Sequence, residues 1–174
     1  MQFGNPRPMI RKLCFAVLLL MGVSPAFAGR APAVSEGAAA PDFDLTARKG
    51  KASLAALQGK VVYVDFWASW CGPCAKSFPW LKAMHEQYAA KGLVIVAINL
   101  DKKREKADEF LATHPAPFTV AFDPEGKTAE AYRVAGMPSS YLIDASGKIV
   151  LVHAGFDPKD AAALEARIKE ECAK

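Results

Sequence analysis

The stretch VVYVDFWASWCGPCAKSFPW, residues 61–80, decides the fold. Its first seven residues, Val61–Trp67, are strand formers without polar alternation, the pattern of a strand covered on both faces. One carboxylate, Asp65, interrupts the run, which then passes directly to Cys71 and Cys74. From Cys74 the apolar period changes. Cys74, Phe78, Leu81, His85 and Tyr88 recur at alternating steps of four and three, which predicts a helix with one buried stripe. A second continuous apolar run, LVIVAINL, occupies 93–100. Strand, helix and strand at this spacing predict a βαβ unit with parallel strands.

Toward the C-terminus, the charged stretch 102–113 predicts a helix, FTVAF (118–122) a strand and 127–133 a short helix. SYLID (140–144) and KIVLVHA (148–154) predict two strands joined through Ala145-Ser146-Gly147. The last helix starts near Pro158, a favourable first-turn position, and sets Ala161, Leu164, Ile168 and Cys172 on one side. Toward the N-terminus, FDLTARKGKASLAALQGK (43–60) alternates around Gly50 and predicts a hairpin. Residues 29–40, GRAPAVSEGAAA, read as a flexible lead-in. The fold class is α/β: a central mixed sheet flanked by helices, with an N-terminal hairpin extension, in one domain over 41–174. A chain of 174 residues, 52% hydrophobic, suits a single domain.

The first 28 residues stand apart. A basic beginning is followed by LCFAVLLLMGV (13–23), then Pro25 and the small-residue site Ala26-Phe27-Ala28, as in a cleavable secretory signal. A membrane anchor is the alternative, but the apolar run is well short of the ~20 residues a bilayer requires. Cys14 falls inside this segment. Of the 22 basic residues, Arg7, Arg11 and Lys12 lie here, so the remainder carries 19 basic against 18 acidic residues. That balance gives no reason to expect a nucleic-acid partner. The mature protein is expected in the periplasm, where cysteines tend to be oxidised, and as a monomer.

Three cysteines then remain, Cys71, Cys74 and Cys172, too few for a disulfide scaffold. Cys71 falls at a helix N-terminus, where unpaired N–H groups and the helix dipole favour a thiolate. Cys74 lies one turn on and heads the buried stripe. The pair is expected to be unequal: an exposed low-pKa nucleophile, and a shielded thiol that resolves a mixed disulfide. A structural disulfide or half a zinc site is the plainer alternative, but zinc needs further ligands and His85, His114 and His153 are scattered singly. Asp65, ionised and unpaired in an apolar strand, would cost several kcal/mol. Its pKa is expected to rise, which suits it to exchange a proton with a buried thiol. A local pair with Lys60 or Lys76 is the structural alternative.

VDFWASWCGPC followed by Pro79, and Met137-Pro138 ahead of a strand, resemble thioredoxin and the envelope thiol–disulfide oxidoreductases of the TlpA/ResA type, over roughly residues 41–170. The resemblance implies the thioredoxin fold. It also implies Cys71 as the attacking thiol, Cys74 as the resolving thiol, Asp65 as the buried proton carrier and Pro79 as a helix kink. Trp70, Gly72, Pro73, Met137 and a cis Pro138 would form the surface that takes an extended substrate segment. No cofactor beyond the redox-active disulfide is implied. Relatives that serve cytochrome c maturation often carry an acidic residue at the position of Ser77 and Asn at that of Asp65, so this chain is nearer ordinary thioredoxin there.

The Gly-Pro dipeptide resembles that of thioredoxin, at about −270 mV, rather than the oxidant DsbA, at about −120 mV. A reductase of protein disulfides is expected, with a membrane-embedded electron donor to recharge it in an oxidising space. An oxidase or isomerase differs only in potential. A copper-delivery module using the same two thiols is the alternative from another class, although copper chaperones of similar fold space their cysteines one residue further apart and add a distant His.

Overall fold

The computed structural model describes residues 1, 2, 4 and 34–174, so the proposed signal at 1–28 falls almost wholly outside the described residues. Its strands and helices are β1 (Asp44–Thr46), β2 (Lys51–Ser53), β3 (Val61–Trp67), α1 (Gly72–Tyr88), β4 (Leu93–Asn99), α2 (Arg104–Thr113), β5 (Thr119–Phe122), α3 (Lys127–Ala131), β6 (Ser139–Ile143), β7 (Ile149–Ala154) and α4 (Ala161–Glu171). Five strands form the central sheet in the order β5-β4-β3-β6-β7. β3 is its middle strand, parallel to β4 and antiparallel to β6. All seven residues of β3 are buried, as its unbroken apolar run predicts.

Successive side chains of a strand point to opposite faces, and β3 divides the core accordingly. Val61, Tyr63 and Trp67 join Ile95, Ala97 and Leu142 beneath α1, α2 and α4, which supply Phe78, Leu81, Met84, Phe110 and Ile168. Val62, Val64 and Phe66 join Val96, Ile98, Tyr141 and Ile143 on the other face, covered by Phe43, Ala47 and Ala52 of the hairpin region and by Ala129 and Tyr132. Beneath α1 the core is aromatic, with the Phe78 ring 4.9 Å from both Trp67 and Phe110 and 5.8 Å from Phe118. The β1-β2 hairpin turns at Gly50, φ 69°, a left-handed conformation that costs glycine little. It reaches the sheet edge through an Ala47–Ala121 bridge and an Arg48 N–H to Val120 carbonyl bond of 2.8 Å.

Three local expectations change. The buried stripe of α1 runs through Cys74, Ser77, Phe78, Leu81, Met84 and Tyr88. Met84 therefore takes the central place expected of His85, which is only half-buried with its ring 6.2 Å from Phe118. Pro158 opens a short 3-10 turn, Pro158–Asp160, and α4 proper begins at Ala161. The described end of the lead-in is held to the sheet: Gly37 N–H donates to Ile149 O at 2.8 Å, Ile149 N–H to Ala38 O at 2.9 Å and Ala40 N–H to Gly147 O at 3.0 Å. β7 lies at the sheet edge, and these bonds satisfy backbone groups that the sheet leaves unpaired there.

Phe78 is 2% exposed and packs against the rings of Trp67, Phe110, His114 and Phe118. Phe78→Ala is expected to lower stability by about 3–5 kcal/mol in urea unfolding. A loss below about 1 kcal/mol would mean that the aromatic cluster does not hold α1 on the sheet.

Candidate active site

β3 ends at Trp67, and the backbone must turn within a few residues to start α1. Leu100 N–H donates to Trp67 O at 2.9 Å, which ties the ends of β3 and β4 together. Asp101 holds the loop itself, its carboxylate accepting the Ser69 N–H and the Ser69 hydroxyl, each at 2.9 Å. Asn99 orients that carboxylate through its side-chain N–H at 2.8 Å, while its own side-chain oxygen accepts the Asp101 N–H at 3.1 Å. The loop that presents the cysteines is thereby fixed by buried polar groups. None of these three residues stood out in the sequence; the available signal was an Asn and an Asp placed just where an apolar strand ends.

Cys71 is the N-cap of α1, and its Sγ accepts the Cys74 N–H at 3.2 Å. The orphan N–H groups of the first helical turn thus face Cys71 sulfur. Cys71 and Cys74 form a disulfide with S–S 2.03 Å and Cα–Cα 5.2 Å. Cys71, expected to be exposed, is only 5% exposed, and Cys74 is fully covered at 0%. The expected difference in exposure is therefore nearly absent: both cysteines belong to one core cluster with Trp67 and Phe78, against which Met137 packs. Pro73 occupies the first turn of α1, and Pro79 lies inside the helix at an exposed position. Ser77 is buried and donates its hydroxyl to Cys74 O at 3.0 Å.

Around the disulfide, Trp70, Gly72 and Pro73 are exposed, Trp70 at 73%. A side chain at Gly72 would meet no atom within 4 Å, so space alone does not require glycine there. The Met137–Pro138 peptide bond is cis. Pro138 is buried, and its carbonyl accepts Gly155 N–H at 2.7 Å; Met137 is half-buried against the cysteine cluster.

Asp65 is 1% exposed. By strand alternation it stands between Tyr63 and Trp67 on the face that carries both cysteines. Its partner is neither Lys60 nor Lys76, neither of which is buried, but Ser140 directly opposite on β6, whose hydroxyl donates to Oδ1 at 2.7 Å. Oδ2 is buried without a hydrogen-bond partner. Burial raises the Asp65 pKa to about 7, against the opposing pull of the Ser140 hydrogen bond. Burial and the neighbouring Asp65 also push the Tyr63 hydroxyl far above its ordinary range, so Tyr63 stays protonated.

Among the described residues, no group of three His, Cys, Asp or Glu could hold a metal ion. His114 stacks on Phe110 with ring centroids 4.1 Å apart, and His153 lies 3.6 Å from Asp160. Cys172 is half-buried against the α1 side of the core, and burial pushes its thiol pKa up.

A dithiol pair at the head of a helix, beneath a sheet of this order, defines a thioredoxin-fold redox protein. The chain belongs to the Redoxin family, whose pattern matches residues 35–168. It is 35% identical over 130 residues to the thiol-disulfide oxidoreductase ResA of Bacillus subtilis, covering 74% of this chain and 72% of that protein. It is 32% identical to the thioredoxin-like protein YneN of the same organism over 158 residues, 84% of this chain and 92% of that one. Among solved structures, one assigned to a thiol:disulfide interchange protein DsbE from Chlorobium tepidum superposes with a TM-score of 0.79 at 52% identity, covering 80% of this chain and 99% of that one.

The raised Asp65 pKa has a defined effect on stability. The folded carboxyl keeps its proton up to about 7, whereas the unfolded one loses it near 3.8. Between these values the folded state binds more protons, so stability falls as pH rises and levels off above about 7. Asp65→Asn is expected to remove that decline: its urea midpoint exceeds wild type by a margin that grows from about pH 4 to about pH 8. A margin that does not change with pH would show that the carboxyl is not held protonated in the fold.

Proposed function

We propose that this chain is an envelope thiol–disulfide oxidoreductase that reduces protein disulfides, recharged by a membrane-embedded electron donor. The observation that carries the reading is the Cys71–Cys74 disulfide at the start of α1, with Asp65 buried on the same face of the sheet. Secretion and the periplasmic location rest on the signal-like segment at 1–28. Among the described residues no helix is long and apolar enough to cross a membrane.

In the reduced protein, the Cys71 thiolate attacks one sulfur of a substrate disulfide. The substrate S–S bond breaks, one substrate thiolate departs and a Cys71–substrate mixed disulfide forms. Cys74 then loses its proton to Asp65 as its sulfur bonds to Cys71 Sγ, and the second substrate thiolate leaves with the electron pair of the mixed disulfide. Two electrons have passed to the substrate, and the protein holds its own disulfide. A carboxyl with pKa about 7 is matched to this proton transfer near neutral pH. Trp70, Gly72, Pro73, Met137 and Pro138 supply the surface for an extended substrate segment: the first three are exposed beside Cys71, and Met137 packs against the cysteine cluster.

The two cysteines are distinguishable by trapping. Cys74→Ala is expected to accumulate mixed disulfides through Cys71, while Cys71→Ala accumulates none, as read on non-reducing gels with a disulfide-bonded protein such as insulin. Equal trapping by both variants, or by neither, would remove the assigned roles.

A further inference from the structure

A proton taken up by Asp65 must leave before the next turnover, and any route for its departure rests on the proton-carrier role proposed for Asp65. The sheet register lays a row of polar residues from Asp65 to the molecular edge. Asp65 on β3 is directly opposite Ser140 on β6, and Ser140 is directly opposite His153 on β7. Residues directly opposite one another in antiparallel strands share a face and stand about 5 Å apart at Cβ. The Leu142–Leu151 pair, two positions along, lies on the α1 side of the core, so the row does too. Its first link is the 2.7 Å bond from Ser140 Oγ to Asp65 Oδ1. At its outer end, His153 Nε2 lies 3.6 Å from Asp160 Oδ2, at the turn before α4, and is buried with no hydrogen-bond partner.

Exposure rises along the row. Asp65 and Ser140 are 1% and 3% exposed, and the side chains of His153 and Asp160 are 23% and 46% exposed. Aromatic rings line its flank, with Tyr63 and Trp80 in edge contact at 5.7 Å and Trp80 against Phe156 at 5.7 Å. Neighbouring positions on this face are apolar, and each buried polar group among them carries a desolvation cost unless it is paired or used.

We propose that Asp65, Ser140, His153 and Asp160 form one proton path from the cysteine pair to solvent, in which Ser140 positions the Asp65 carboxyl and His153 exchanges its proton outward. His153 makes no hydrogen bond to Ser140 at rest, so the imidazole must turn toward the Ser140 hydroxyl for the transfer. The carboxyl O–H then passes its proton to Ser140 Oγ as the Ser140 proton moves to the facing ring nitrogen of His153. The imidazolium gives up the proton of its other ring nitrogen to Asp160, whose carboxyl is open to solvent, and the Ser140 hydroxyl turns back to Asp65. No electron moves in these steps. The titratable groups that face Asp65 are Tyr63 from its own strand and Cys71 and Cys74 from the start of α1; its neighbour across β4, Ala97, has none. Asp160 faces His153, and Arg167 of α4 donates to Val150 O farther along β7.

The test is a single turnover of the fully reduced protein with dithionitrobenzoate, whose thiolates stay ionised, at about one unit above the Asp65 pKa of about 7. Thiolate absorbance follows the two sulfur steps, and an indicator dye in weak buffer follows the proton. In wild type, the proton appears with the second thiolate. In His153→Gln, the proton is expected to lag the second thiolate by at least about tenfold, below the ~10²-fold effect expected for the group that touches the thiol; Ser140→Ala removes the bond that lowers the Asp65 pKa and slows the second thiolate as well. Ser140→Thr restores the wild-type timing, and added imidazole restores that of His153→Ala. Asp65→Asn instead slows the second thiolate itself. If Asp65→Asn is slow while the proton stays concurrent in His153→Gln, the path is overturned and the carrier stands. If Asp65→Asn is as fast as wild type, carrier and path fall together. His153 is partly exposed, so its variants keep the test decisive should a Ser140 variant not fold.

Discussion

A single ionisable carboxyl in the middle strand of the sheet is the constraint on which the site depends. Asp65 is covered on its own face by α1 and flanked by Ala97 on β4 and Ser140 on β6, and among the described residues no cation balances its charge. Burial without a counter-ion favours the neutral acid. One serine hydroxyl opposes that tendency and leaves the carboxyl poised near neutrality. A lysine partner would have made it a permanent carboxylate, and an apolar neighbour would have kept it a permanent acid. That cost in stability is what would let it move a proton in the proposed exchange.

The cysteines are set by the same strand. β3 delivers the chain to a loop held by Ser69, Asn99 and Asp101, and the loop delivers Cys71 to the N-cap of α1. Helix geometry then places Cys74 one turn deeper, in the aromatic cluster of Trp67 and Phe78. Buried polar bonds hold the loop before the motif, and apolar packing holds its inner side. With the disulfide closed both cysteines are buried, Cys74 the deeper of the two.

Much of this was legible in the sequence. The uninterrupted run at 61–67 marked a strand covered on both faces, and the change to a helical period at Cys74 marked α1. The parallel β3–β4 pair followed from the strand–helix–strand spacing, and the central mixed sheet from the family resemblance. Details that depend on contacts between distant segments were not legible. Met84 and His85 are adjacent, and only the packing of α1 on the sheet decides which is central. The residues from Gly37 to Ala40 are compositionally a linker, yet they meet an open edge at β7. Ser140 looks like any serine near a turn, and its importance comes from a register between strands separated by 75 positions in sequence. Cys71 loses its expected exposure within a core cluster that draws residues from β3, α1, α2, β4 and the loop before β6.

Whether this dithiol gives electrons to protein disulfides, as proposed, or takes them is decided by the reduction potential of the Cys71–Cys74 couple. Equilibration against glutathione or dithiothreitol buffers is expected to give a value near that of thioredoxin, about −270 mV. A value more positive than roughly −150 mV would contradict the account and make the protein an oxidant.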